Sequence, residues 1–161
     1  MNLYAAVLAA MLTAAPAFSA DEINHGNLVL IAPFTFESPP SQKSTGGYLE
    51  IRNTGATDDV LVSATSPFPK TELHLSVTDD KGIASMQHQH DGIVVPAGGI
   101  VMLKPGGYHV MFMGVAEQPA AGDTIPVSLV FRDAGAVEVD FLVRKRGGKH
   151  GHHSSHSDNG S

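Results

Sequence analysis

Imidazole and thioether side chains lie on short segments of this sequence that alternate with the period of β-strands. His109 and Met111 are two residues apart, and His74 lies between Leu73 and Leu75. Because successive side chains of a strand point to opposite faces, His109 and Met111 share one face, and His74 points away from its apolar neighbours. Two segments can therefore offer metal-binding atoms to one place.

A third segment carries more side chains of the same kinds. If residues 83–90 are extended, Met86, His88 and His90 also share a face, but the sequence does not fix the register of this segment. A neutral thioether is a good ligand for Cu(I) and a poor one for hard ions, and imidazole binds copper in both oxidation states. The set predicts a Cu(I) site, whereas Zn(II) would favour thiolate, imidazole or carboxylate.

The same residues also have simpler interpretations. A lone methionine on a strand usually fills a core, and a lone histidine is usually a surface or hydrogen-bonded residue. The spacing shows that the side chains could converge and does not require it. The glycine-rich turn at residues 105–107 lacks the Lys-Ser/Thr pair and the helix of a phosphate loop, and no serine lies in a nucleophile elbow.

Composition narrows the class of protein. The chain has no cysteine, which excludes disulfides, thiolate catalysis and blue-copper ligation. Its formal charge is −6, and all four Lys and Arg residues after Val143 fall within residues 144–149, so the rest of the chain is more acidic still. An acidic surface argues against a nucleic-acid partner.

The N-terminal residues resemble a secretory signal peptide. Residues 2–17 contain no charge and include an apolar run at residues 3–12, followed by small residues. No Lys or Arg precedes the run, so an unusual signal or a misassigned start stays open. The run is shorter than the roughly 20 residues that span a bilayer, so we expect export without stable membrane insertion.

The apolar pattern between residues 27 and 143 predicts an all-β domain: a single antiparallel β-sandwich, Ig-like or cupredoxin-like. We expect a signal peptide at residues 1–20, the domain at 21–146, a flexible tail at 147–161 and a long loop at 36–45. The expected strands are 28–31, 47–53, 60–65, 71–78, 83–88, 100–104, 108–114, 124–131 and 136–143.

Histidines in the C-terminal tail form a second candidate for metal binding. The tail is made mainly of Gly, Ser and His, and it carries His150, His152, His153 and His156. Its imidazoles could collect Cu(II), Zn or Ni, or the segment could be a solvated tail or an expression tag. His25, near the expected mature N-terminus, could join a terminal copper site or have no role.

Several motifs together resemble the periplasmic copper(I) chaperones called PCuAC. The motifs are Glu72-Leu73-His74, Met86, the segment 93–99, and Pro105-Gly106-Gly107-Tyr108-His109-Val110-Met111, with weaker likeness in 47–53 and 58–64. The resemblance implies a cupredoxin-like sandwich that binds Cu(I) through His74, Met86, His109 and Met111. Leu75 stands where the family often has Met, and His88 and His90 are either surface polar residues or an extension of the site toward Cu(II).

The resemblance also implies a function. It predicts a chaperone rather than an enzyme, monomeric and located in the periplasm of a Gram-negative bacterium. The chaperone would deliver Cu(I) by ligand exchange to the CuA centre of cytochrome c oxidase subunit II or to a thioredoxin-like assembly factor. Two alternatives stay open: a copper or zinc buffer that acts mainly through the tail, and a structural or adhesive sandwich with incidental His and Met.

Overall fold

The computed structural model describes residues 21–147, and the predicted signal peptide and most of the predicted tail lie outside this range. The described residues form strands and no helix, so no helix among them is long and apolar enough to cross a membrane. The strands are β1 Glu22–His25, β2 Leu28–Phe36, β3 Ser44–Asn53, β4 Asp59–Thr65, β5 Lys70–Thr78, β6 Ala84–His88, β7 Ile93–Val95, β8 Ile100–Leu103, β9 Tyr108–Met113, β10 Thr124–Phe131 and β11 Gly135–Arg144.

The strands hydrogen-bond in one continuous, curled path. Its order is β6-β5-β9-β8-β3-β2-β11-β10-β4-β7, with β1 added to β2. Nearly all of the pairings are antiparallel, and the two parallel ones join β11 to β2 and β8 to β9. Strand β6 is one terminal strand of this path, and it pairs only with β5 among the described strands.

One hydrophobic core holds the two ends of the path together. It contains Leu73 of β5 and Val110 of β9 as well as Val95 of β7, and Phe112 and Phe141 meet in it edge to face. Each fully buried side chain of this size contributes about 1.5–3 kcal/mol through removal from water. Because strands from both ends bury their apolar faces against one another, the predicted all-β, cupredoxin-like or Ig-like sandwich is confirmed.

The boundaries differ from the prediction in three places. Strands β1 and β7 were not expected, because segments of four and three residues give too few alternations to detect. The expected loop at residues 36–45 is shorter, since β2 continues to Phe36 and β3 begins at Ser44. Pairing between these strands holds its ends, and the hydroxyl groups of Thr35 and Thr45 hydrogen-bond at 3.2 Å in the interior.

Candidate metal centre

Strand β5 lies between β6 and β9, and its register brings three histidines into one row. His74 is directly opposite His109 on one side and His88 on the other. Facing side chains of neighbouring strands are about 5 Å apart. The ring centroid of His74 is 5.8 Å from that of His109 and 5.5 Å from that of His88.

The two methionines flank this row on the same face. On one side, Met111 pairs with Glu72, two residues before His74. On the other side, Met86 pairs with Ser76, two residues after His74. Met86, His109 and Met111 line one cavity of about 230 Å³, which Tyr48 and Arg146 also line. The structure therefore brings three of the four residues expected from the resemblance into one cavity, with His74 next to His109.

The surroundings of His109 favour its neutral form, with the proton on one ring nitrogen. The side chain is only 3% exposed. The tight turn before β9 places the Gly107 carbonyl 3.0 Å from Nδ1, and because a carbonyl can only accept, Nδ1 carries the proton. Burial lowers the pKa of His109, which favours the neutral ring. Its Nε2 is thus left with a lone pair.

His74 makes its hydrogen bond through the other ring nitrogen, Nε2. Its Nε2 lies 2.9 Å from Oε2 of Glu72, and the carboxylate accepts this hydrogen bond. Lys70 binds the other oxygen of Glu72 at 2.7 Å, and this contact, followed by that with His74, lowers the pKa of the carboxyl to about 2. Nδ1 of His74 is buried without a hydrogen-bond partner within residues 21–147. Histidines that bind metals are commonly oriented by a carboxylate in this way.

The two thioethers differ in exposure. Met111 is partly buried on β9, whereas Met86 is 58% exposed on β6, where every residue is exposed. The register of β6 that the sequence left open is the one that places Met86 and His88 on the face of His74. One side of the candidate site is therefore enclosed, and the other is open to solvent.

Sequence reasoning missed several residues that shape the cavity. The ring of Tyr48 packs 6.5 Å from that of His109, and Arg146 lies over Phe36 at the rim. Gly46 faces Met111, and a Cβ there would lie 2.5 Å from the Tyr48 hydroxyl oxygen. The orienting contact of Glu72 had a usable signal, because residues two apart on a strand share a face. The others depend on neighbouring strands.

The remaining histidines have other settings. His25 contacts the Ala134 carbonyl oxygen at 2.9 Å through Nε2, which ties β1 to the turn before β11. His88 and His90 are exposed neighbours outside the cavity, and the four tail histidines lie outside the described residues. Within residues 21–147, no three imidazole and carboxylate groups are arranged to hold a metal ion. The thioethers of Met86 and Met111 are the further metal-binding groups at the cavity.

Comparison with known proteins places the chain in a family. The family model described as "Putative lipoprotein LpqE-like" matches residues 28–143. The chain belongs to the LpqE-like family. It is also 36% identical over 101 residues to the "Putative lipoprotein Lxx21020" of Leifsonia xyli subsp. xyli, a match that covers 62% of the chain and 60% of that protein's length.

Solved structures share the fold. The "Copper-bound PCuAC domain from PmoF2" is 22% identical, with a TM-score of 0.66 over 78% of this chain and 99% of that one. The "Solution structure of CuI-DR1885 from Deinococcus Radiodurans" is 25% identical, with a TM-score of 0.59 over 80% of this chain and 84% of that one. The predicted resemblance to PCuAC proteins is thereby confirmed at the level of the fold, and the family shown for the chain is the LpqE-like one.

Proposed function

We propose that this chain is an exported copper chaperone that binds Cu(I) through His74, Met86, His109 and Met111. The observation that carries the proposal is the cavity that both thioethers and the buried imidazole of His109 line together. The solved structures whose names state bound copper or Cu(I) have the same fold and support this ligand. The chain acts by binding and transfer rather than by catalysis.

The donor set fits Cu(I) better than other common ions. Thioethers bind soft Cu(I) and contribute little to Zn(II), Mg²⁺ or Ca²⁺, and the chain has no thiolate. In the neutral rings, Nδ1 of His74 and Nε2 of His109 each carry a lone pair. In each ring the other nitrogen holds the proton and donates it in a hydrogen bond. His74 does not line the cavity itself, so we expect its ring to approach the ion when copper enters.

Transfer follows from the unequal exposure of the ligands. Met86 is exposed on a terminal strand, so a partner's ligand can replace it first while His109 and Met111 still hold the ion. Each later exchange then occurs between two proteins already in contact. Release therefore does not require free copper in solution.

The proposed recipient is the CuA centre of cytochrome c oxidase subunit II, or a thioredoxin-like assembly factor, in the periplasm. The family's description as lipoproteins supports export. The acidic chain would steer toward a basic partner surface, an attraction that salt weakens. Mixing Cu(I)-loaded protein with an apo CuA domain tests this recipient, and a domain that stays copper-free would rule it out.

Competition with a Cu(I) chelator under reducing conditions tests the site itself. We expect the Cu(I) affinity of the Met86→Leu/Met111→Leu double variant to fall by more than about 100-fold, the loss that removal of an outer-shell partner can cause. Met102→Leu is the matched control, because Met102 is exposed on β8 and does not line the cavity.

X-ray absorption gives an independent count of the ligands. Copper(I) bound to the chain should show two sulfur and two nitrogen neighbours, and the double variant should show no sulfur. Equal Cu(I) affinity in the double variant and the wild type would refute the proposed site.

A further inference from the structure

A second pair of imidazoles lies at the free edge of the same three-strand surface. His88 ends β6, and His90 follows two residues later. Their ring centroids are 3.9 Å apart, closer than those of any other described pair of histidines in contact. Both residues are exposed. They do not line the cavity of Met86, His109 and Met111.

The surroundings of this pair differ from those of the cavity. The side chain of His88 is 35% exposed, against 13% for His74, so water can reach its ring. A carboxylate oxygen of Glu72 lies 3.9 Å from Nδ1 of His88, and Asp91 directly follows His90. The pair thus combines two imidazoles with nearby negative charge and open solvent.

We propose that His88 and His90 form a separate surface site for Cu(II), with water molecules completing the coordination. Cu(II) prefers imidazole and oxygen ligands in a tetragonal arrangement, and among divalent first-row ions it binds such ligands most tightly. Two protein ligands at the exposed end of β6 leave the remaining positions free for water.

Glu72 lies near both His74 and His88, but it is not a ligand of either proposed metal ion. Its two oxygens are already bonded to Lys70 and to His74, at 2.7 and 2.9 Å. It therefore contributes charge near His88 rather than a bond to the ion. The chain would hold an oxidised copper ion at the edge of β6 independently of Cu(I) in the cavity.

The test must exclude Cu(II) binding by the histidines of the tail. We define the tail-silent variant as the full chain with His150, His152, His153 and His156 replaced by Asn. Titration of this variant with Cu(II) in the absence of reductant, followed by electron paramagnetic resonance, should show one bound ion with two coupled imidazole nitrogens.

Replacement of the pair gives the decisive comparison. In the tail-silent background, His88→Asn/His90→Asn should lower the affinity for Cu(II) by more than about 10-fold. His25→Asn is the matched control, since it removes one imidazole far from β6, and it should leave the affinity unchanged. Zn(II) should bind the tail-silent variant more weakly than Cu(II) does.

Two results would overturn the surface site. One is undiminished Cu(II) binding after both replacements, and the other is a loss of Cu(II) on Met86→Leu/Met111→Leu, which would place the ion in the cavity. The outcome is separable from the proposed function, because Cu(I) affinity depends on the thioethers and should be the same with and without His88 and His90.

Discussion

Strands β9 and β6 both pair with β5, but they present the proposed copper ligands in opposite ways. On β9, His109 is 3% exposed, and its ring is held between the Gly107 carbonyl and the ring of Tyr48. On β6, every residue is exposed, and Met86 is 58% exposed. A central strand therefore holds half of the site in place, and a terminal strand leaves the other half free to move.

This difference suggests that the buried ligands contribute most of the affinity, whereas the exposed ligand allows exchange. A ligand already fixed by packing loses little conformational entropy when the ion binds, so most of its bond energy appears as affinity. An exposed methionine loses about 1.5–2 kcal/mol of rotamer freedom when it is immobilised, which weakens its net contribution. The same freedom lets it leave first.

Single methionine replacements should give the largest contrast. We expect Met111→Leu to weaken Cu(I) binding by more than about 100-fold. Met86→Leu should cost about 10-fold less, because 1.4 kcal/mol of lost rotamer freedom corresponds to a factor of ten. Chelator competition measures both affinities, and stopped-flow transfer to a chelator should show that Met86→Leu changes the transfer rate more. An equal or greater loss of affinity in Met86→Leu would refute the comparison.

Replacement of Glu72 should have a smaller effect on Cu(I) affinity. Glu72 lies on β5, the strand between β6 and β9. Glu72→Gln keeps the shape of the side chain but removes the carboxylate that holds the proton on Nε2 of His74. We expect Cu(I) affinity to fall about 10–100-fold, as it does when an outer-shell partner of a metal ligand is lost. Nitrogen-15 NMR of the apo protein should show a mixture of His74 tautomers.

Lys70→Met is the control for this change. It removes the ion pair of Glu72 with Lys70 and leaves the hydrogen bond of Glu72 to His74 in place. A loss of affinity in Lys70→Met as large as that in Glu72→Gln would show that the total charge, rather than the orientation of His74, matters.

The smallest effect concerns the stability of the apo protein as the pH changes. Burial holds the pKa of His109 below its ordinary value of 6.5, and a charged His74 would lower it further. The unfolded chain therefore takes up this proton first, so the stability from this group is complete above about pH 6.5 and is lost as the pH falls through and below that value. Urea unfolding at several pH values should show a flatter curve for His109→Gln. Parallel curves would contradict the effect.

The period of two was sufficient to predict β9 and β5, because both have an apolar side that fixes which face is polar. Val110 and Phe112 are buried, so His109 and Met111 had to share the other face. The segment 84–88 has no buried residue, so nothing in the sequence could fix its register. Only pairing with β5 sets it.

Other features depend on contacts between segments distant in sequence. Tyr48 reaches His109 because β3 pairs with β9, and Arg146 reaches the cavity because β11 runs parallel to β2 and brings the chain back to that rim. The short strand β7 forms because β4 offers it a partner and because Ile93 and Val95 bury their side chains in the core. Local patterns carry no information about these partners.

The buried Nδ1 of His74 would couple the stability of the fold to the proposed binding of copper. A buried polar atom without a hydrogen-bond partner costs a protein about 1–3 kcal/mol, so the apo fold is less stable by that amount than its packing would allow. A copper ion bound to this nitrogen in the proposed site would remove this cost and add stability that grows with its concentration relative to Kd. Empty copies of the chain are therefore the first to unfold and to meet proteases. The supply of copper would then set how long each molecule persists as well as whether it is loaded.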